Sequence, residues 1–203
     1  MQYQKEEIRA AILKAARKEF AKDGYYKASI RQIAKKADVL PSNIYNYFGN
    51  KDQIFREVLS PILNKIEKAK SFLQEYEFDK KPGEKGNLEE HLNMMLVSTS
   101  FVDTNRELLK LLIFKAHGSS LENYEEELIE WYADNWYSFI KKNDMIPLDK
   151  FVIRNIMGVF YNLLKEILLN DIKGEELKNK AMEMMTFIFR GWKGLVEWKK
   201  SNE

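Results

Sequence analysis

The 203-residue chain contains no cysteine. Disulfides, thiolate metal sites and a Cys nucleophile are therefore excluded, a pattern that fits a reducing compartment. Histidine is nearly as scarce, with only His91 and His117, too few for an imidazole-rich metal site. No run approaches the ~20 apolar residues that a membrane-spanning helix needs. The opening MQYQKEEIRA is too charged for a secretory signal. There is no Ser/His/Asp set, phosphate loop or carboxylate pair with a clear purpose, so no enzyme, cofactor or metal is expected. These absences predict a non-catalytic cytoplasmic protein that does not engage a membrane.

Hydrophobic residues make up 45% of the chain, enough to bury a sizeable core. The net charge of +2 conceals an asymmetry: residues 1–56 carry 12 Lys/Arg against 6 Asp/Glu, and the remainder carries 21 against 25. A basic head on a mildly acidic body is what a nucleic-acid-binding end joined to something else produces. A solvated Lys-rich helix face has the same composition, so charge alone does not decide.

Periodicity predicts an all-α protein. From roughly 5 to 22, Ile8, Ile12, Ala15, Ala16 and Phe20 recur at helical spacing, and Gly24 follows as a stop. Ser29 is placed to cap a short second helix carrying Ile30, Ile33, Ala34 and Ala37. Pro41 suits the first turn of a third helix, which is expected to end near Phe48 and Gly49. A fourth runs from about Asn50 to Tyr76, with Pro61 inside it, and Asp79–Asn87 reads as a loop. Further helices are expected at 88–103, 105–117, 121–143, 148–171 and 175–200, punctuated by Gly118, Pro147 and Gly174. The expected division is a head at 1–50 and a larger helical body at 51–203.

Three helices in the first ~48 residues, the last two short and tightly joined, outline a helix-turn-helix. At roughly 100° per residue, Ile44 and Phe48 share one side of the third helix, with Pro41 and Tyr47 flanking. Ser42 and Asn46 point opposite, with Asn43 and Tyr45 at the sides. The outer face is small, polar and free of acid. Asn pairs bidentately with adenine, and Ser serves several groups in the major groove. Lys51, opening the next helix, is placed to clamp a phosphate, and Tyr45 to give its hydroxyl to another. Tyr47 reads equally well as packing under the turn.

The run Ser29-Ile30-Arg31-Gln32-Ile33-Ala34-Lys35-Lys36-Ala37, then Val39, then Ile44-Tyr45-Asn46-Tyr47-Phe48 with Lys51 three beyond, closely resembles the tetracycline-repressor (TetR) family signature. The resemblance covers roughly residues 5–56. It implies a sequence-specific DNA-binding transcription regulator, a repressor released from its operator by a small molecule. It also implies DNA contacts from Ser29, Arg31, Gln32, Pro41, Ser42, Asn43, Tyr45, Asn46, Tyr47 and Lys51. Three positions depart from the family pattern. Asp38 stands where Gly is usual in the turn, and Asp tolerates a left-handed conformation. Leu40 replaces a usual Ser and cannot cap a helix. Ser42 replaces a usual Gly and alters which bases are read.

In the body, the resemblance implies a four-helix dimer interface from the last two helices. Their sequence agrees: Met182, Met185, Phe189, Trp192 and Val196 form one stripe, and Met184, Ile188, Gly191, Leu195 and Trp198 a second. Two stripes on one helix point to a second partner. Close helix approach would also account for Gly158, Gly191 and Gly194 in helix interiors. The expected homodimer contacts are Phe160, Leu164, Ile188, Trp192 and Leu195. The resemblance further implies an effector pocket; Met94, Phe101, Phe114, His117, Trp131 and Tyr161 are its candidates, suited to an apolar, aromatic or cationic small molecule. Plain core packing accounts for the same residues. Two other readings stand beside the regulator: a helical small-molecule-binding protein or enzyme whose basic head is incidental, and a DNA binder without sequence preference.

Overall fold

Helical periodicity dominates the chain, and helix is what it forms. The computed structural model describes residues 2–75, 87–142 and 148–202, with the side chains at 2–4, 75, 87–98, 189, 193, 196, 200 and 202 left aside. Eight helices occur among the described residues and no strand: α1 (Gln2–Lys27), α2 (Ile30–Lys36), α3 (Pro41–Ile44), α4 (Lys51–Glu75), α5 (Asn87–Phe114), α6 (Tyr124–Lys142), α7 (Lys150–Leu169) and α8 (Gly174–Asn202). None is long and apolar enough to cross a membrane.

The chain forms two compact units, residues 1–73 with 107–125 and residues 74–106 with 126–203. The expected division at 50/51 follows the helix-turn-helix motif, whereas these units follow packing. The first unit closes around Ile12, Phe20, Ile33, Ile44, Phe48, Ile54, Phe55, Leu59 and Ile62, all at most 2% exposed. Phe20 meets Phe55 edge-on at 5.0 Å, with Tyr25 5.1 Å from Phe55, a geometry aromatic quadrupoles favour. Gly24 takes φ 74° and kinks α1 where the sequence predicts a stop, the helix resuming to Lys27. The buried Glu19 carboxylate receives the Lys36 ammonium, tying α1 to α2.

In the second unit Ala133, Ile140, Leu148 and Ile153 form a buried cluster, against which Trp136, Tyr137, Trp192 and Leu195 pack. Arg106 is buried in the same unit and closes the end of α7. It donates to the carbonyls of Ile167 (3.3 Å) and Ile172, and pairs with Asp103 at 2.8 Å. Asp103 also accepts the Gly174 amide at 2.9 Å, and its hydrogen bond from Arg106 holds its carboxyl below the usual range. The carbonyls at and after the end of α7 and the amide at the start of α8 thus both receive partners from α5.

Several boundaries differ from expectation. A break near 104 does not occur: Thr104 and Asn105 return hydrogen bonds to the carbonyls of Ser100 and Phe101, so their polar groups are satisfied within one continuous α5. α6 starts at Tyr124 rather than 121, because Ser119 folds residues 116–121 into turns through its hydroxyl and amide. Ser29 does occupy the cap position of α2, but its side chain makes no capping bond. Most of the expected 79–87 loop, and Pro147, lie outside the described residues.

Candidate nucleic-acid interface

α2 and α3 hold the outward-facing residues because their inward ones are so thoroughly buried. Ile33 and Ala34 anchor α2, and Ile44 with Phe48 anchor α3, leaving Arg31, Gln32 and Lys35 exposed on the first and Pro41, Ser42 and Asn43 on the second. The turn between them puts Asp38 at φ 55°, the left-handed conformation that Asp tolerates. Pro41 takes the first turn of α3, as its missing N–H favours. Leu40 precedes it at the cap position in extended conformation, with no side-chain capping bond.

α3 is shorter than the sequence predicts. Regular helix ends at Ile44, and residues 45–47 continue as a tighter turn in which the Asn46 amide meets the Asn43 carbonyl at 3.1 Å and the Tyr47 amide the Ile44 carbonyl at 3.0 Å. The Phe48 amide still reaches the Ile44 carbonyl at 3.0 Å, so the two anchors keep their shared side. Asn46 stays exposed, Tyr45 is 58% exposed, and Tyr47 is half-buried, dividing the two tyrosines between surface and packing. Ser29 is half-buried at the entrance to α2. From Ser29 to Asn50 the one acidic residue is Asp38, in the turn.

Lys51 opens α4 as expected, and its ammonium already has partners in its own unit. It donates to the carbonyls of Tyr25 (2.9 Å), Ala28 (3.3 Å) and Tyr26 (3.4 Å), and lies 4.4 Å above the Tyr25 ring. Carbonyls left over where α1 ends, together with an aromatic face, attract a cation as well as a phosphate would. Burial pulls the Lys51 pKa below its ordinary value. The start of α4 is likewise satisfied internally: Asn50 accepts the Gln53 amide at 2.8 Å while Gln53 accepts the Gly49 amide at 2.7 Å, a reciprocal cap. Asp52 accepts the Ser120 amide at 2.8 Å and Arg56 donates to the Ser120 hydroxyl at 3.1 Å, so the first two turns of α4 are also fixed to the 115–123 turn.

An apolar helix pair seated on buried anchors, with an outer face of Arg, Gln, Ser and Asn, is the form of a helix-turn-helix reading head. Residues 12–58 match the family model described as "Bacterial regulatory proteins, tetR family". The head of the chain is thus similar to the DNA-binding segment of tetR-family regulators. The HTH-type transcriptional regulator HbdR of Aromatoleum sp. is 45% identical over 62 residues, which are 30% of this chain and 27% of that protein. An HTH-type transcriptional repressor of Mycobacterium tuberculosis is 40% identical over 62 residues, 33% of its own length. The chain thus matches about a third or less of these relatives, in the tetR head alone. Solved structures extend the likeness in fold to the body. NalD, the secondary repressor of the MexAB-OprM multidrug efflux pump in Pseudomonas aeruginosa, has a TM-score of 0.67 at 19% identity, over 93% of this chain and 97% of that one. FadR of Bacillus subtilis, solved with stearoyl-CoA, has a TM-score of 0.59 at 20% identity, over 86% and 96%.

The residues expected to line an effector pocket are not gathered in one unit. Phe114 and His117 fall in the unit that contains the head; Phe101, Trp131 and Tyr161 fall in the other, all three half-buried. His117 is exposed, with its Nδ1 on the Glu122 carboxylate and its ring 5.5 Å from Tyr26, the place of a turn residue rather than of a cavity wall. The side chain of Met94 lies outside the described residues.

On α7 and α8 the expected contact residues Phe160, Leu164, Ile188, Trp192 and Leu195 are all half-buried. Ile188, Trp192 and Leu195 line an open apolar groove with Ile156, Phe187 and Gly191. Trp192 also lies 6.2 Å from Trp136, so this residue belongs partly to the unit's own core. Phe151, Phe187 and Trp198 are between 61% and 74% exposed, and Val159 is 48% exposed. A Cβ placed on Gly158, Gly191 or Gly194 would meet nothing within 4 Å, so no close helix approach within the described chain explains these glycines. The stripes include Trp198, whereas Phe151, Val159 and Phe187 lie outside them, beside neighbours with regular spacing.

Proposed function

We propose that this chain is a sequence-specific DNA-binding transcription regulator, a homodimer acting as a repressor that a small-molecule effector releases from its operator, in the cytoplasm and without catalytic activity. The observation that carries the reading is the division of α3 and its following turn. Ile44 and Phe48 are buried while Ser42, Asn43 and Asn46 are exposed beside Arg31 and Gln32 of α2, within a segment that matches the tetR family. Those five residues take base edges, with Pro41 beside them. Ser29, Tyr45 and Tyr47 position the head on the backbone. Lys51 acts on phosphate only if DNA draws its ammonium from the carbonyls; its first role is to hold α1 against α4.

The 1–50 head reads DNA, and residues 51–203 dimerise and bind the effector. The exposed apolar surface of α7 and α8, with three glycines facing open space, supports pairing with a second copy through Phe160, Leu164 and Ile188 together with Phe187 and Val159. Phe101, Trp131 and Tyr161 remain the candidates for an apolar, aromatic or cationic effector. The stearoyl-CoA in the FadR structure shows that a protein of this fold can hold a ligand with a long apolar part. Selection from a random duplex library tests the reading: a preferred sequence with two half-sites about one helical turn apart, or a multiple of it, is expected. Recovery of no preferred sequence would return the chain to non-specific binding or to a role in the body alone.

A further inference from the structure

We propose that Leu40 is a specificity residue that reads a thymine methyl group in the major groove. The inference rests on the DNA-reading function proposed above and adds a residue to it. Leu40 is 67% exposed, whereas Val39 before it is half-buried and Ile44 after it is fully buried. It therefore takes no part in the core that seats α3. The other large hydrophobics exposed in the same unit, Tyr26, Tyr45 and Phe72, are aromatic, which leaves Leu40 as the aliphatic one among the described residues.

Its position is as unusual as its exposure. Leu40 holds the cap position of α3, where Ser, Thr, Asn or Asp would accept an amide hydrogen bond, and no side-chain cap is made. Its carbonyl accepts the Asn43 amide at 2.9 Å, so the residue is tied to the start of α3 although its side chain does nothing for the helix. Two local rules are broken at one residue, by an uncapped helix start and by exposed aliphatic surface. Such breaks are expected where function compensates. The surroundings specify the compensation. Pro41, Ser42 and Asn43 are exposed next to it, and Arg31 and Gln32 are exposed on α2, so the surface is one of cations and amides. A duplex major groove offers such a surface phosphates, base-edge acceptors and donors, and a single kind of apolar group, the C5 methyl of thymine. An aliphatic side chain amid polar readers is matched to that methyl and to no other feature of the groove.

Replacing thymine by uracil removes that methyl and nothing else, which makes the test specific. The duplex recovered by selection is remade with deoxyuridine at one thymine position at a time, symmetrically in both half-sites. Each duplex is titrated with the wild-type chain, Leu40→Ala and Leu40→Met, with helical circular dichroism confirming that the variants are folded. For the wild type, one position should weaken binding by about fourfold per half-site, the ratio expected for removing one methyl from an apolar contact. Leu40→Ala should bind the thymine duplex more weakly and lose the uracil penalty at that position alone. Leu40→Met, which keeps an apolar tip, should retain most of it. A uracil penalty that is absent in the wild type, or equal in wild type and Leu40→Ala at every position, overturns the proposal while leaving DNA reading intact. A library that yields no preferred sequence overturns both, so the two failures are distinguishable.

Discussion

The two units differ in how completely one chain satisfies them. In the first, nine large side chains from Ile12 to Ile62 are at most 2% exposed, the start of α4 is capped internally, and the outer surface of α2 and α3 is polar. In the second, a buried cluster exists, yet Phe151, Phe187 and Trp198 remain mostly exposed on α7 and α8. A closed core with a polar outside calls for a polar partner, and an open apolar face calls for an apolar one. The proposed partners, DNA and a second copy of the chain, are matched to these two needs.

That contrast breaks first, and most visibly, at the open face. Val159→Glu with Phe187→Glu should convert a micromolar dimer into monomers, since each charge buried unpaired in an interface costs about 3–5 kcal/mol. Sedimentation velocity checks this, and tryptophan fluorescence should show the body still folded. Trp192→Glu with Leu195→Glu should instead unfold the second unit, because those side chains pack against its own core.

Next in size is Arg106→Ala. It removes the Arg106 donor from the Ile172 carbonyl and one of two donors from the Ile167 carbonyl, which keeps the Ile172 amide, a loss of about 1–3 kcal/mol. All four tryptophans, at 131, 136, 192 and 198, lie in the second unit, so denaturation followed by fluorescence should report the whole effect.

Lys51→Ala sharpens the comparison from the other side. It should destabilise the first unit by about 1 kcal/mol through lost carbonyl bonds, seen in helical circular dichroism with the fluorescence transition unmoved. The salt slope of DNA binding should not change, because the ammonium is already engaged. Arg31→Ala should instead narrow the gap between operator and random duplex by about 1–3 kcal/mol, as loss of a base-edge contact does.

These expectations also mark what the sequence could tell. The inward and outward sides of α3 were legible because period 3.6 sorts Ile44 and Phe48 from Ser42 and Asn46 whatever the rest of the molecule does. Asp38 in the left-handed turn was legible from its own chemistry. Lys51 was not, since its partners are main-chain carbonyls 23 to 26 residues away and carry no residue type to recognise. The same holds for Arg106: its pairing with Asp103 follows from i,i+3 spacing, but its hold on the end of α7 does not. On α8 the two stripes found Ile188, Trp192 and Leu195, yet spacing could not separate Trp192, shared with the core, from Phe187, which is open. His117 is exposed in the turn that Gly118 marks in the sequence.

The proposed function depends above all on whether α3 and its turn read bases. The decisive measurement is a salt titration of wild type and Asn46→Ala against the selected operator and against a scrambled duplex of equal length. Losing one good base contact costs about 1–3 kcal/mol of discrimination, so Asn46→Ala should narrow the gap between the two duplexes with an unchanged salt slope and unchanged thermal stability. Equal loss of affinity for both duplexes would contradict it, because Asn46 would then be serving the backbone and the exposed side of α3 would not be the reader.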